Sequence, residues 1–561
     1  MKKLLFCLVL ICFAFAVFAQ ESLPFTKGVN LFNWFQPWAP GEMPDLNKYD
    51  ETDFACLKSI GVDVVRLPVH FDLLMEPYFT GTIYDVVFEK LDQVCDWAEK
   101  YQIYLVIDNH TYLDRDSKGS YLSLNDFKEQ LEAVWPQIAQ RYKDRSEYII
   151  YEIFNEPKDS RFKDFPNKWV KVQGEIVDLI RTYDTKHKIV VSCTDFSNID
   201  TLVRMKPYKD SNLIYTFHFY EPMIFTHQGA SWVGEGMANV KDIPFPYEKS
   251  RMPKLNQKAA SDDWVKSEYG QYSRIGTVKY INDRIKKAAD WGAKNNVPVW
   301  CGEMGAKVWT NPVDRLAWIN ATRTALETNN ISYCCWGLDG SDGFLKSDKA
   351  GMIFPDDIDK DALEAYGFTM PDPKLSEKAS LNITSQKPYV VYDGISGVGA
   401  GKNYWGNIKE IKKDSDRDYC MVISYPGKQN GCNFYLPNKV ISLMTEKPQN
   451  FTVSFSVKFA DNKQEFYLNL SDTDEGAELP PWNISVPVRA ADYKVGEWVT
   501  VEIPISKLSE SGAWSNKANK WFNPQDKFDW SRLECIYFSF NDFDNKNKGD
   551  IYIDDIVLKM K

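Results

Sequence analysis

Histidine is scarce in this chain: five residues in 561. No His-Glu-x-x-His spacing or comparable ligand cluster occurs, so a catalytic metal held by such a motif is excluded. Lys/Arg runs are absent and the net charge is −11. A polyanionic partner such as nucleic acid, whose binding requires phosphates to be neutralised, is therefore excluded too. Internal repeats and low-complexity tracts are missing. Beyond residue 18 no apolar stretch is long enough to span a bilayer. The one earlier run, Leu4–Phe18, follows Lys2 and Lys3 and ends in Val17-Phe18-Ala19. That pattern predicts a signal peptide over residues 1–19, and with it a protein expected outside the cytoplasm, secreted, periplasmic or at the cell surface. Export permits disulfides, yet nine cysteines remain after cleavage, an odd number. Cys193, Cys301, Cys334 and Cys335 stand in apolar runs where a thiol packs as a small hydrophobe. Cys420 and Cys432 flank an expected hairpin turn at 426–431 at unequal offsets, which does not imply a bridge.

What is present is apolar and aromatic residue, 44 % and 14 % of the chain. Eight short apolar runs punctuate the first 340 residues: Gly28–Leu31, Val62–Val69, Ile103–Asp108, Ile149–Phe154, Lys188–Ser192, Leu213–His218, Val297–Glu303 and Ile331–Trp336. Each has the length and composition of a buried parallel strand. Between them lie amphipathic stretches. Val87, Leu91, Val94, Ala98 and Tyr101 share one helix face, and 127–142 and 169–183 repeat the pattern. Eightfold strand–helix alternation predicts an α/β fold, a (β/α)8 TIM barrel, over residues 20–370. The long insertion between runs six and seven, including 225–273, is expected to shape a cleft. After a Pro-rich linker at 371–387 the period changes to short alternating strands, which predicts an all-β jelly-roll sandwich over 388–561.

In such a barrel the functional site lies at the carboxyl ends of the strands. Those ends hold Arg66, Asp108-Asn109-His110, Asn155-Glu156-Pro157, His218-Phe219-Tyr220, Glu303 and Trp336. Taken singly, each has a structural reading: a turn glutamate, an ion-paired arginine, buried core histidines, a packing tryptophan, Asp339 and Asp342 as solvated loop acids. Taken together, the runs place two carboxylates, Glu156 and Glu303, nearly across the barrel mouth. Retaining glycoside cleavage uses such a pair, one nucleophile and one proton donor, with unequal pKa values. Arg66 and the Tyr220 hydroxyl are expected to keep Glu303 ionised. The charge of Glu303 and partial desolvation are expected to keep Glu156 protonated. Asn155 is placed for a sugar 2-hydroxyl. Trp34, Phe35 and Trp38, just after the first strand, are expected to bind sugar away from the cut.

Gly28-Val29-Asn30, Arg66-Leu67-Pro68-Val69, Asn109-His110, Phe154-Asn155-Glu156-Pro157, His218-Phe219-Tyr220, Gly302-Glu303 and Trp336 together resemble the family-5 glycoside hydrolases. The resemblance covers 28–344. It implies Glu156 as acid/base, Glu303 as nucleophile, and Tyr220 and Arg66 as its supports. It further implies His110 and His218 around the sugar at the cut, Asn155 on its 2-hydroxyl, and Trp336 as its stacking floor. No cofactor for catalysis is implied. The implied activity is an endo-β-1,4-glucanase acting on a β-glucan, with a β-mannanase, xyloglucanase or mixed-linkage glucanase as alternatives. A non-catalytic glycan-binding surface protein would be expected to have lost a carboxylate, and neither is lost. The C-terminal region resembles jelly-roll carbohydrate-binding modules, of family-11 type, through Tyr392-Asp393-Gly394 and Ile551-Tyr552-Ile553-Asp554-Asp555-Ile556. That resemblance implies a structural Ca²⁺ held by Asp393 and Asp554, oxygen ligands suited to the ion. Tyr404, Trp405, Trp482, Trp514 and Trp521 are candidate sugar-stacking rings.

Overall fold

The computed structural model describes residues 22–111, 123–158, 164–345, 354–355, 357–375, 381, 383–414, 416–424, 430–473, 480–515, 517–541 and 548–561. The expected signal peptide, part of the linker and most of the expected turn at 426–431 lie outside the described residues.

All eight apolar runs are parallel strands: β1 (Lys27–Asn30), β2 (Val64–Val69), β3 (Tyr104–Asn109), β4 (Ile149–Glu152), β5 (Lys188–Ser192), β6 (Leu213–Phe219), β7 (Val299–Met304) and β8 (Ser332–Cys335). They close into one barrel with each strand beside its sequence neighbours and β8 beside β1. Helices follow the strands, including α1 (Glu51–Ser59), α2 (Asp85–Tyr101), α3 (Leu124–Tyr142), α4 (Phe165–Arg181), α5 (Ile199–Leu202), α6 (Val278–Asn295), α7 (Pro312–Thr328) and α8 (Lys360–Ala365). Local chemistry sets their starts. Asp50 with Asp53, and Ser123 with Asp126, form reciprocal caps. Asn311 caps α7 just before Pro312, whose missing N–H costs nothing at a first helical position.

The strand period of two explains how one barrel interior serves two purposes. Val64, Val106, Ile150, Val190, Ile214, Trp300 and Cys334 form an apolar plug, closed below by Phe25. Two residues further along stand Arg66, Asp108, Glu152, Ser192, Thr216 and Gly302 on the same strands, and Trp336 just past β8. The inner face thus changes from apolar to polar within one layer, at the carboxyl end.

The C-terminal domain is a two-sheet sandwich of antiparallel strands: β9 (Tyr389–Tyr392), β10 (Gly401–Trp405), β11 (Ile408–Asp414), β12 (Arg417–Ile423), β13 (Gly431–Tyr435), β14 (Phe451–Phe459), β15 (Glu465–Asp472), β16 (Trp482–Arg489), β17 (Trp498–Pro504), β18 (Ser509–Ser515), β19 (Lys520–Phe522), β20 (Leu533–Ser539) and β21 (Ile551–Met560). One sheet runs β11-β12-β21-β14-β17 with β9 on β21; the other runs β10-β13-β20-β15-β16-β18-β19. Phe434, Phe455, Phe466, Leu468, Ile536 and Phe538 meet between them. The hairpin expected between Cys420 and Cys432 is not formed. Their strands, β12 and β13, belong to opposite sheets, and both thiols are buried and free.

Candidate active site

The site is assembled around Arg66, which is fully buried. Its Nε and Nη2 donate to Glu152 Oε2 and Oε1 at 2.7 and 2.8 Å. Nη1 donates to Glu303 Oε1 at 2.8 Å and to Asn30 Oδ1 at 3.1 Å, and Nη2 reaches Asn155 Oδ1 at 2.9 Å. Asp108 Oδ2 lies 2.9 Å from the same Nη2. One guanidinium therefore faces three buried carboxylates, a deficit of positive charge that burial cannot relieve without bound protons. Asp108 is accordingly pushed up to about 7, by burial first and by the charge of Glu156.

Glu303 is aimed by a bulge. Phe217 pairs with Cys301, but His218 pairs with Glu303, so Gly302 is the extra residue of β7. A Cβ on Gly302 would lie 2.8 Å from Thr216 Oγ1 and 3.2 Å from His218 Nε2. Only glycine allows that approach. The slip brings Glu303 Oε2 to 2.8 Å from the Tyr220 hydroxyl, which donates to it. Burial raises Glu303, and His218 and Arg66 oppose the rise.

Glu156 follows β4 with a φ of 44°, left-handed backbone that a non-glycine residue adopts at a cost of about 1–3 kcal/mol. The loop is held from behind: Ser192 Oγ donates to Phe154 O at 2.6 Å and Trp135 Nε1 to Ile153 O at 3.1 Å. His218 Nδ1 stands 2.7 Å from Glu156 Oε1 and 3.4 Å from Glu303 Oε2. Oxygens of the two glutamates lie within 4.8 Å of one another, with that nitrogen between them. Burial pushes Glu156 up to about 7, against the pull of Arg66 and Lys158. His218 is lowered to about 4 and His110 to about 3 by burial, so both rings are neutral near pH 7. The arrangement can therefore offer a protonated carboxyl and an arginine-paired carboxylate to opposite sides of one bond.

The cleft wall is a succession of rings. Trp336 stacks on His110 with centroids 5.7 Å apart, His110 on His70 at 6.1 Å, and Trp38 meets His70 edge-on at 5.9 Å. His110 Nδ1 is fixed by Asp108 Oδ2 at 2.6 Å, and Asn155 Nδ2 lies 3.3 Å from His110 Nε2. Trp38 is 62 % exposed, available to a ligand.

A sequence profile described as Cellulase (glycosyl hydrolase family 5) matches residues 24–342, more than half of the chain. The chain belongs to glycoside hydrolase family 5. Among curated relatives it is similar to Endoglucanase 3 of Fibrobacter succinogenes, 32 % identical over 338 residues covering 58 % of this chain and 51 % of that protein. It is 25 % identical over 324 residues to Endoglucanase C of Acetivibrio thermocellus, covering 56 % and 90 %. Endoglucanase H of Acetivibrio thermocellus aligns over 553 residues at 24 % identity, 95 % of this chain and 53 % of that protein. The chain thus spans about half the length of two of these relatives.

In this family-5 hydrolase three sequence expectations are corrected. Trp34 is not on the cleft: it is wholly buried and its Nε1 donates to Leu46 O at 2.8 Å. Phe35 is buried with it. Asp342 is not a solvated loop acid but a buried partner of Lys307. Glu152, which the sequence reading passed over, is the principal partner of Arg66. Its signal was a charge at an inward position of an otherwise apolar strand.

A second profile, described as Carbohydrate binding domain 30, matches residues 426–560. It replaces the family-11 expectation, which rested on short terminal-strand signatures that do not separate jelly-roll families. On the seven-stranded sheet, Trp405, Gly431, Ser539 and Tyr467 are register neighbours across four strands. The Trp405 and Tyr537 rings lie 5.5 Å apart, and a Cβ on Gly431 would strike both. Trp405, Tyr467, Trp514 and Trp521 are exposed, whereas Trp482 is core and Tyr404 is partly buried. Asp393 and Asp554 line one cavity of about 380 Å³ with Asp416, Asp418 and Arg417. Arg417 Nη1 donates to Asp554 Oδ2 at 3.0 Å. Burial pushes Asp393 and Asp554 up to about 6, and their oxygens are of the kind a hard cation takes, but Lys413 and Arg417 line the same cavity and already supply positive charge there. Among the described residues, however, the one group of three converging potential metal ligands is Glu156, His218 and Glu303.

Proposed function

We propose that the protein is an exported, retaining endo-β-1,4-glucanase whose cleft cuts a β-glucan internally. The observation that carries the reading is the meeting of Glu156 and Glu303 within 4.8 Å in unlike surroundings. Glu303, paired with Arg66 and Tyr220, attacks the anomeric carbon. The bond to the leaving oxygen breaks as Glu156 delivers its proton to that oxygen. The glycosyl ester removes the charge of Glu303, so Glu156, having given up its proton, stays ionised as a carboxylate and takes a proton from the incoming water. Water adds at the anomeric carbon, Glu303 leaves as carboxylate, and Glu156 is protonated again. Asn155 and His110 contact the sugar at the cut, and Trp336 forms its floor.

The exposed row Trp405–Tyr467 with Tyr537 supports glucan binding by the C-terminal domain, since flat rings stack on pyranose faces. No helix among the described residues is long and apolar enough to cross a membrane. A structural Ca²⁺ between Asp393 and Asp554 belongs to the same proposal and has no part in the chemistry. Reducing-sugar release on carboxymethylcellulose, glucomannan, lichenan and xyloglucan, with product analysis, tests the substrate. Cellulose-type turnover with internal cuts is expected. Negligible turnover on carboxymethylcellulose, with strong activity on another polymer, would move the assignment to that polymer.

A further inference from the structure

The wall that carries Trp38 is fastened to the C-terminal domain. On its barrel side, Trp38 N and Ala39 N donate to Glu42 Oε2 at 2.8 and 3.0 Å, and His70 Nδ1 lies 2.8 Å from Pro37 O. On the other side, Glu410 N donates to Gly41 O at 3.1 Å and Met43 N donates to Glu410 Oε2 at 3.0 Å. The Lys402 ammonium donates to Met43 O. Lys402 and Glu410 pair at 2.9 Å with side chains 7 % and 0 % exposed, and Asp45 Oδ1 stands 3.7 Å from the same ammonium. Asn47 Nδ2 adds a bond to Ser396 O at 3.1 Å.

Two opposite charges withdrawn from water make poor glue, because apolar residues would hold two domains together at less cost. What a charged pair with backbone partners does add is direction. Both backbone groups of Met43 are taken, one by each member of the pair, and Gly41 O is taken by Glu410 N, so the backbone of 41–43 is held from the sandwich side at three points. Glu42 then transmits that restraint to Trp38, four residues back, through its carboxylate.

We propose that Lys402 and Glu410 of the C-terminal domain are positioning residues for the glucan cleft. They fix the 38–43 segment, and with it the Trp38 ring, so the sandwich is part of the substrate-binding apparatus of the barrel as well as a module beside it. The proposal rests on the glucanase reading for its substrate but not for its geometry.

The test uses the full chain with Glu410→Gln and Lys402→Met, and cellohexaose as substrate. Each variant is expected to raise KM about tenfold while kcat stays within about twofold, the signature of lost binding without lost chemistry. Trp38→Ala is expected to raise KM similarly, and the Trp38→Ala/Glu410→Gln double variant no further, because both act on one ring. Hydrogen exchange reads the loop without substrate: the Trp38, Ala39 and Met43 amides should exchange about tenfold faster in Glu410→Gln. Unchanged exchange, a wild-type KM in both single variants, or multiplicative KM effects in the double variant overturns the proposal. Wild-type protein without turnover on any β-glucan overturns the glucanase reading alone, and the exchange measurement still decides the positioning.

Discussion

Glu152→Gln is the most informative single change. Glu152 takes two hydrogen bonds from Arg66, at 2.7 and 2.8 Å, and its side chain is wholly buried. A glutamine keeps one acceptor and turns an NH2 group toward a guanidinium N–H. One charge-assisted bond is lost, about 1.5–3 kcal/mol, and two donors now face each other. Breaking a buried pair from one side costs about 3–5 kcal/mol. Here the loss is at the low end, because Asp108 and Glu303 remain as partners and the excess negative charge falls by one. A loss of about 3 kcal/mol lowers Tm by roughly 5 °C in a barrel of this size. The kinetic effect is larger in proportion. Arg66 Nη1 also holds Glu303, and a shift of about 1 Å in a reacting group costs about 100-fold in rate. Calorimetry and steady-state kinetics on one preparation give both numbers. If Tm falls but kcat stays at the wild-type value, Arg66 does not transmit the position of Glu152 to the nucleophile. If neither changes, the charge argument for the whole cluster is wrong.

The pH profile of kcat/KM should fall above about 7, about tenfold per pH unit, because Glu156 must carry its proton. A dinitrophenyl glycoside, whose leaving group needs no proton, should lose that alkaline limb in its first step; persistence of the limb would point to another group. Stability has its own pH signature. Folded Glu156 and Asp108 hold protons to about 7, whereas unfolded carboxyls release theirs near about 4. The folded state binds more protons in that window, so the contribution of this pair to stability falls as pH rises from about 4 to 7, and Glu156→Gln should flatten the trend in urea titrations. Replacing Trp405 and Tyr467 together by alanine should abolish most glucan retardation in affinity gels, each stacked ring being worth about 1 kcal/mol, with the cleavage rate on a short soluble substrate unchanged. Millimolar calcium should stabilise the C-terminal domain by about 2.7 kcal/mol at 100-fold saturation and so raise its Tm, and EGTA should remove that gain; a Tm indifferent to both removes the ion.

The barrel was legible because its strands are buried on both faces and end in a polar residue. Val62–Val69 and Val297–Glu303 announce both a strand and a site. The two glutamates and their supporters followed from position alone. Other features were not readable. Tryptophan type does not encode exposure, so Trp34 and Trp38, four residues apart, looked alike. Glu152 is the last residue of β4, but the sequence run was read on to Phe154, so attention went to Asn155 and Glu156 beyond it. The Lys402–Glu410 clamp joins residues to a loop some 360 positions earlier, and no local pattern marks such a pairing. The crossing of β12 and β13 between sheets was hidden for the same reason: a turn signal between two strands says that the chain reverses, not which neighbour it joins.

Among the described residues nine thiols are buried and none is bridged, which sets a condition on how the folded chain, exported as proposed, would survive in an oxidising medium. While native, each sulfur is screened from oxidants; Cys95 and Cys335, for example, are pushed up by burial, beyond the range where thiolate forms. A momentary opening would release several reactive groups at once, an odd total that cannot all pair internally. Cross-linked debris would then accumulate at the pace of unfolding, so durability becomes a matter of barrier height and not of depth of the well.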